Sequence, residues 1–208
     1  MNLDEARQNV LEACLLLAGK GFLAGTGGNL ALRAGQDGFV VTPSGRDYYR
    51  LAPSDLCVVR LADLRQVDGP YPPSVEAGLH ARAFRLRPDV IASVHTHQPL
   101  ASAMALLGIP VPVETAADRE RLGPQLAAVP YAPSGTGLLV RALGRRIKPG
   151  TNAYLLRNHG LVCLGGSLPE AIDHLFRVER ICAEHLRRAI QAQPTESAAS
   201  RFALSFLP

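Results

Sequence analysis

Two histidines separated by one residue, His95-Thr96-His97, stand at the end of the apolar run Val90-Ile91-Ala92-Ser93-Val94. Alternate side chains of a β-strand share a face, so two imidazoles at this spacing can reach one metal ion. A third histidine, His159, lies in Arg157-Asn158-His159-Gly160, between the apolar runs Ala153 to Leu156 and Leu161 to Leu164. Three ring nitrogens around a divalent cation leave a coordination position open for substrate, which is the arrangement of a catalytic metal site. His80, His174 and His185 fall on predicted helices and read as structural or surface groups.

The elements that must position these residues follow from local pattern. Asn2 with Glu5 three residues on, ahead of Val10, Cys14, Leu17 and Ala18, predicts an opening amphipathic helix that Gly19 and Gly21 end. Asn29 to Arg33 and Phe39 to Thr42 flank the turn stretch AGQDG and predict a hairpin; a further run spans Leu56 to Leu61. Helical spacing covers Ser74 to Leu86 before Pro88, and the run that ends at His95 reads as a buried central strand. Leu100 to Leu107 and Thr136 to Ile147 read as helices, and the two runs around His159 as a hairpin that presents it at a turn. Ser167-Leu168-Pro169-Glu170 is a capping box ahead of a long amphipathic helix. Residues 194–208 read as a C-terminal tail whose apolar end, Phe202 to Leu207, docks elsewhere.

Composition narrows the class. With 208 residues and 47% hydrophobic content the chain is expected to form one domain, 1–208. The +4 charge comes from scattered arginines with no dense basic block, so nucleic acid is not an expected partner. No apolar run approaches the roughly 20 residues that cross a bilayer, and the first residues are acidic, which leads to an expectation of a cytoplasmic protein. Cys14, Cys57, Cys163 and Cys182 are widely spaced among aliphatic residues and read as buried, reduced thiols.

An H-x-H pair by itself is shared by cupins, amidohydrolases and metallo-β-lactamases. A cupin adds a glycine-rich all-β chain and a glutamate soon after the pair, and a metallo-β-lactamase continues H-x-H-x-D-H; here Gln98-Pro99-Leu100 follows. The order of landmarks along the chain points elsewhere. Thr26-Gly27-Gly28-Asn29, Thr42-Pro43-Ser44-Gly45, Pro73-Ser74-Val75-Glu76 with Leu79-His80, Arg87-Pro88-Asp89, Val94-His95-Thr96-His97, Pro130-Tyr131 with Gly135-Thr136, and Asn158-His159-Gly160 together resemble the class II aldolase/adducin family, the group typified by fuculose-phosphate aldolase. The likeness spans nearly the whole chain.

The resemblance implies a three-layer α/β/α fold with a mostly antiparallel central sheet, assembled as a homotetramer with sites near subunit interfaces. It implies that His95, His97 and His159 bind zinc, with manganese or cobalt as alternatives, and that Glu76 is the acid/base residue. It also implies a phosphate pocket at Gly28, Asn29, Thr42, Ser44, Gly45 and Ser74, where glycine turns and short hydroxyls can converge on an anion. Taken alone, Glu76 would read as a solvated acid in the first turn of a helix.

The chemistry agrees with that assignment. Breaking a carbon–carbon bond beside a carbonyl leaves an enediolate, whose charge a cation on both oxygens stabilises. A nearby carboxyl group then moves the proton, a task worth about 10²–10⁴-fold in rate. The expected activity is aldol-type cleavage or formation of a small hydroxylated carbonyl compound, free or phosphorylated. Decarboxylation, dehydration and epimerisation are alternatives on the same metal, and a non-catalytic, adducin-like interaction module is the alternative of another class. Two positions depart from the family pattern: Val75 replaces the second serine of the phosphate motif, and Val113 to Arg121 holds Glu114, Asp118, Arg119 and Arg121 in place of the tyrosine often found there.

Overall fold

The computed structural model describes residues 2–192 except Ala24 and Gln36, so the expected tail at 194–208 lies outside the described residues. The opening helix is α1 (Leu3–Gly19), with Asn2 Oδ1 accepting the Glu5 N–H at 2.8 Å and Val10, Cys14 and Leu17 buried. β1 (Asn29–Ala34) and β2 (Gly38–Val41) form the predicted hairpin, and β3 (Cys57–Arg60) extends it. A short β4 (Gln66–Asp68), which the pattern does not announce, completes this edge.

The next helix, α2 (Ala77–Leu86), begins three residues later than the spacing of apolar residues suggests. Ser74 accounts for the delay. Its Oγ accepts the Glu76 N–H at 3.2 Å and its carbonyl the Ala77 N–H at 2.9 Å, a local turn that competes with helix. The consequence is functional, because Glu76 becomes the residue that opens the helix and turns away from solvent.

β5 (Ala92–Thr96) is the buried central strand, followed by α3 (Pro99–Leu107). Residues 108–135, to which sequence pattern assigns no element, contain β6 (Val111–Pro112), α4 (Ala116–Leu122) and β7 (Gln125–Val129). Gln-Leu-Ala-Ala-Val is a weak strand former, and β7 becomes a strand through its neighbours in space. α5 (Gly137–Gly144) is shorter than predicted, β8 (Ala153–Leu156) and β9 (Gly160–Gly165) make the second hairpin, and α6 (Leu168–Gln191) is the long final helix.

The described strands form one sheet in the order β4-β3-β2-β1-β5-β9-β8-β7-β6. Every pairing is antiparallel except β7 with β8. Strand alternation divides the apolar side chains between two layers. Leu30, Leu32, Ala92, Val94, Leu161 and Cys163 pack with α1, α3 and α6. Ala31, Phe39, Val41, Tyr154, Val162 and Leu164 pack with α2 and α5. This is the three-layer α/β/α arrangement, and no described helix is long and apolar enough to cross a membrane.

Two polar fasteners hold the layers in place. The carboxylate of Glu179 on α6 accepts the Leu100 and Ala101 N–H groups at 2.9 Å each, capping α3 directly after His97. The Arg87 guanidinium donates to Asp89 and also to the carbonyls of Lys148 and Thr151 at 2.9 and 3.0 Å, tying the α2–β5 connection to the segment entering β8. Arg87→Met would leave those carbonyls without a donor and should lower the unfolding free energy by about 2–4 kcal/mol, read from urea denaturation. An unchanged midpoint would show that the tie contributes nothing.

Candidate metal centre and active site

Side-chain alternation places Ser93 and His95 of β5 on the face that carries α2, opposite the face of Ala92 and Val94. Asn29 of β1 is the direct cross-strand partner of His95. His97 lies just past the strand, its N–H donating to the Phe22 carbonyl at 3.2 Å. His159 arrives from the β8–β9 turn, which Asn158 makes by adopting φ 54, a left-handed conformation that asparagine tolerates better than most residues. The three rings meet with centroid separations of 4.7, 4.7 and 5.2 Å. One nitrogen from each lies within 4.8 Å of the others, so the set can hold a metal ion.

The donor chemistry fits such an ion. The Leu161 carbonyl, 2.8 Å from His95 Nδ1, can only accept, so His95 carries its proton there and turns the lone pair of Nε2 into the cluster. That Nε2 is 3.0 Å from Nε2 of His97 and 3.3 Å from Oε2 of Glu76. Lone pairs and a carboxylate at these distances repel unless a proton or a cation sits among them. Burial pushes His95 and His97 down in pKa, so both favour the neutral form that binds metal. Gly160 makes the approach possible: a Cβ there would stand 2.4 Å from the Thr96 carbonyl oxygen and 2.7 Å from His97 Cδ2. Gly28 has the same role on the other side, at φ 80 and with a Cβ position 2.8 Å from the His95 carbonyl oxygen.

Glu76 is only 5% exposed, which contradicts its reading as a solvated first-turn acid. Its Oε2 accepts from Asn29 Nδ2 at 2.8 Å and its Oε1 from Ser134 Oγ at 2.8 Å, while His159 Nε2 lies 3.4 Å from Oε1. Burial pushes this carboxyl up, but His95, the Asn29 hydrogen bond, His159 and the Ser134 hydrogen bond together bring it below the ordinary glutamate range. The two hydrogen bonds favour its ionised form. A buried carboxylate thus faces a cluster of three imidazoles that could hold a metal ion.

The model of the class II aldolase and adducin N-terminal domain matches residues 8–186. The chain belongs to this family. It is 34% identical over 188 residues to the 5-methylthioribulose-1-phosphate/5-deoxyribulose-1-phosphate aldolase of Rhodospirillum rubrum, covering 90% of this chain and 83% of that protein. It is 31% identical over 196 residues to the methylthioribulose-1-phosphate dehydratase of Yersinia pestis, covering 87% and 86%. The structure of an L-fuculose 1-phosphate aldolase matches with a TM-score of 0.85 over 97% of this chain and 95% of that one; at 24% identity the match speaks for the fold. The chain is a class II aldolase-family lyase.

In this class II aldolase-family chain the six residues matched to the phosphate motif do not all offer free donors. Asn29 spends its amide on Glu76 and His80, and Thr42 is wholly buried, its hydroxyl accepting the Leu30 N–H at 3.4 Å. The Gly28 carbonyl is taken by the Tyr48 hydroxyl, and Ser74 Oγ by the Glu76 N–H. Ser44 is half-buried and Gly45 exposed, at the outer edge of the same loop, which the Ser44–Pro72 and Ser74–Thr42 backbone bonds of 2.9 and 3.0 Å hold against the turn before Glu76. Val75 is 67% exposed. A cavity of about 570 Å³ bounded by Tyr131, Leu138, Arg141, Arg145 and Arg146 includes none of the three histidines, Glu76 or the six phosphate-motif residues.

The charged stretch of α4 is largely occupied within the chain. Asp118 is paired with Arg177 at 3.0 Å and Arg180 at 2.6 Å, Glu114 with Arg188, and Arg119 donates to the Val113 carbonyl. The Asp118 pairs fasten α4 to α6, and the Glu114–Arg188 pair ties the segment before α4 to the same helix. Sequence reasoning missed Ser134, whose signal was only its place beside the Gly135-Thr136 landmark, and Asn29's partnership with Glu76. Gly160→Ala should separate His97 from His95 and lower metal affinity by about tenfold or more, while circular dichroism still reports a folded chain. Wild-type affinity in that variant would mean that the turn is not what gathers the cluster.

Proposed function

We propose that this chain breaks the bond between carbons 3 and 4 of a ketose 1-phosphate, releasing a three-carbon ketone phosphate and an aldehyde. The observation that carries this reading is the convergence of His95, His97 and His159 with the ionised carboxylate of Glu76. The three histidines would hold the ion, and their all-nitrogen set suits zinc, with manganese or cobalt as alternatives. When bound, that cation supplies Lewis-acid stabilisation for the charge that develops on the substrate oxygens. Such a constellation has no use in a purely adducin-like interaction module.

The remaining work falls to the protein. Cleavage requires that the hydroxyl on carbon 4 lose its proton, that the bonding electrons pass to carbon 3, and that carbon 3 gain a proton. Glu76 is the group that moves a proton at carbon 3: held by hydrogen bonds to both of its oxygens and aimed at the cluster, its carboxylate takes up the proton that the carbon 4 hydroxyl releases and delivers it to carbon 3. The phosphate end is assigned to the loop formed by Gly28, Asn29, Thr42, Ser44, Gly45 and Ser74, where Ser44 and Gly45 are its accessible members. The names borne by the two sequence relatives support a five-carbon 1-phosphate with deoxy or methylthio at carbon 5 as the substrate.

The dehydratase name favours one second reading. If the hydroxyl on carbon 4 leaves together with the proton of carbon 3, water is lost and the enol of a 2,3-diketone results, with Glu76 now taking the carbon 3 proton. The chain would act as one domain in a homotetramer, and the exposed Leu106, Leu107 and Ile109 supply apolar surface for contact between copies. The free, buried cysteines suit the reducing cytoplasm.

Metal-loaded protein supplied with 5-deoxyribulose 1-phosphate should release acetaldehyde. Glu76→Gln should lose about 10²–10⁴-fold in kcat with the metal retained, whereas His95→Ala should lose both metal and activity. Dehydrated diketone with no aldehyde would select the second reading, and full activity in Glu76→Gln would end both. Sedimentation at micromolar concentration should show a tetramer; a monomer would contradict the assembly.

A further inference from the structure

A buried file of polar side chains runs from the middle of the sheet to Glu76. Asn29 and Ser93 stand on the sheet face that α2 covers, and His80 reaches between them from α2. His80 Nδ1 lies 2.7 Å from Ser93 Oγ, and its Nε2 lies 2.6 Å from Asn29 Oδ1. Asn29 Nδ2 then reaches Glu76 Oε2 at 2.8 Å. His80 and Ser93 have no exposed surface at all.

The directions of these bonds follow from what each group can do. An ionised carboxylate only accepts, so Asn29 must turn its NH₂ towards Glu76 and its carbonyl oxygen towards His80. His80 must therefore donate from Nε2, which leaves Nδ1 bare to accept the Ser93 hydroxyl proton. Burial lowers the His80 pKa to about 4, which keeps the ring neutral and compatible with this one pattern. Without His80, the Asn29 amide could rotate by half a turn and set its oxygen against the carboxylate. Two acceptors would then face each other, and Glu76 would have to move.

We propose that His80 is a positioning residue for the reaction: oriented by Ser93, it fixes the Asn29 amide so that Glu76 stays aimed at the three-histidine cluster. Ser134 holds the other carboxylate oxygen, so the base is gripped from two sides. The inference rests on Glu76 being the proton-moving group. It accounts for a polar histidine in a wholly buried position, which packing alone would fill with an apolar ring.

The test compares His80→Phe, His80→Asn and His80→Gln in metal-loaded protein, with aldehyde release from 5-deoxyribulose 1-phosphate as the assay. Gln can place an N–H donor where the ring has Nε2, whereas Asn can mimic only the Nδ1 side and Phe neither. His80→Phe and His80→Asn should lose about tenfold to hundredfold in kcat with KM and metal content unchanged, and His80→Gln should return to within about threefold of wild type. Crystals of the slow variants should show the Glu76 carboxylate displaced from Asn29. If His80→Phe yields no folded protein, the Asn and Gln pair carries the comparison. The proposal is overturned by wild-type kcat in the Asn variant, by a Gln variant no better than the Asn one, or by metal loss that parallels the loss of rate. Glu76→Gln run alongside separates the two ideas: if it keeps wild-type kcat, the assignment of Glu76 fails, and if it is slow while all His80 variants are fast, only the positioning role fails.

Discussion

The structure is organised around an unfavourable meeting: three imidazole nitrogens and a carboxylate oriented towards one another, with His95 and Glu76 buried and His97 and His159 half-buried. Lone pairs and negative charge at 3.0 and 3.3 Å repel, and burial removes the solvent that would screen them. The surrounding protein answers with hydrogen bonds on the far sides. The Leu161 carbonyl accepts the His95 Nδ1–H, and Asn29 and Ser134 each donate a hydrogen bond to Glu76. What remains at the centre is a place suited to positive charge, where family chemistry needs its cation.

Close approach of backbone makes that meeting sterically possible. Gly160 and Gly28 lie on either side of the β5 end, and at both positions a Cβ would collide with carbonyl oxygens of His95 or Thr96. These glycines belong to the site as much as its side chains do. The long-range fasteners act one step further out. Glu179 caps α3 immediately after the histidine pair, and Arg87 connects the entry of β5 to that of β8, so the strands that carry His95 and lead to His159 are registered from both ends.

The polar interior on the α2 side is directional throughout. Ser93, His80, Asn29 and Glu76 form a chain in which each proton has one permitted place once the carboxylate is charged. The other side of the sheet is apolar, packed by α1, α3 and α6. This division follows from strand alternation: the same strands that bury Leu30, Ala92 and Val94 on one face must present Asn29, Ser93 and His95 on the other.

The residue types and their spacing alone marked the three histidines as a candidate metal-ligand set and determined the hairpin around His159, the central strand and the long capped helix, because strand alternation, caps and turns are local rules. Family likeness added Glu76 and the overall architecture. Only the tertiary structure decided that α2 starts at Ala77, which buries Glu76, since that depends on one hydroxyl competing for backbone donors. It alone revealed β6, α4 and β7, where weak local preference is overridden by pairing with β8 and by ion pairs to α6. It alone joined Asn29 and Ser134 to Glu76, residues 47 and 58 positions away, and His80 to Asn29, because hydrogen-bond partners brought together by a sheet and the helix that covers it leave no periodic mark in the chain.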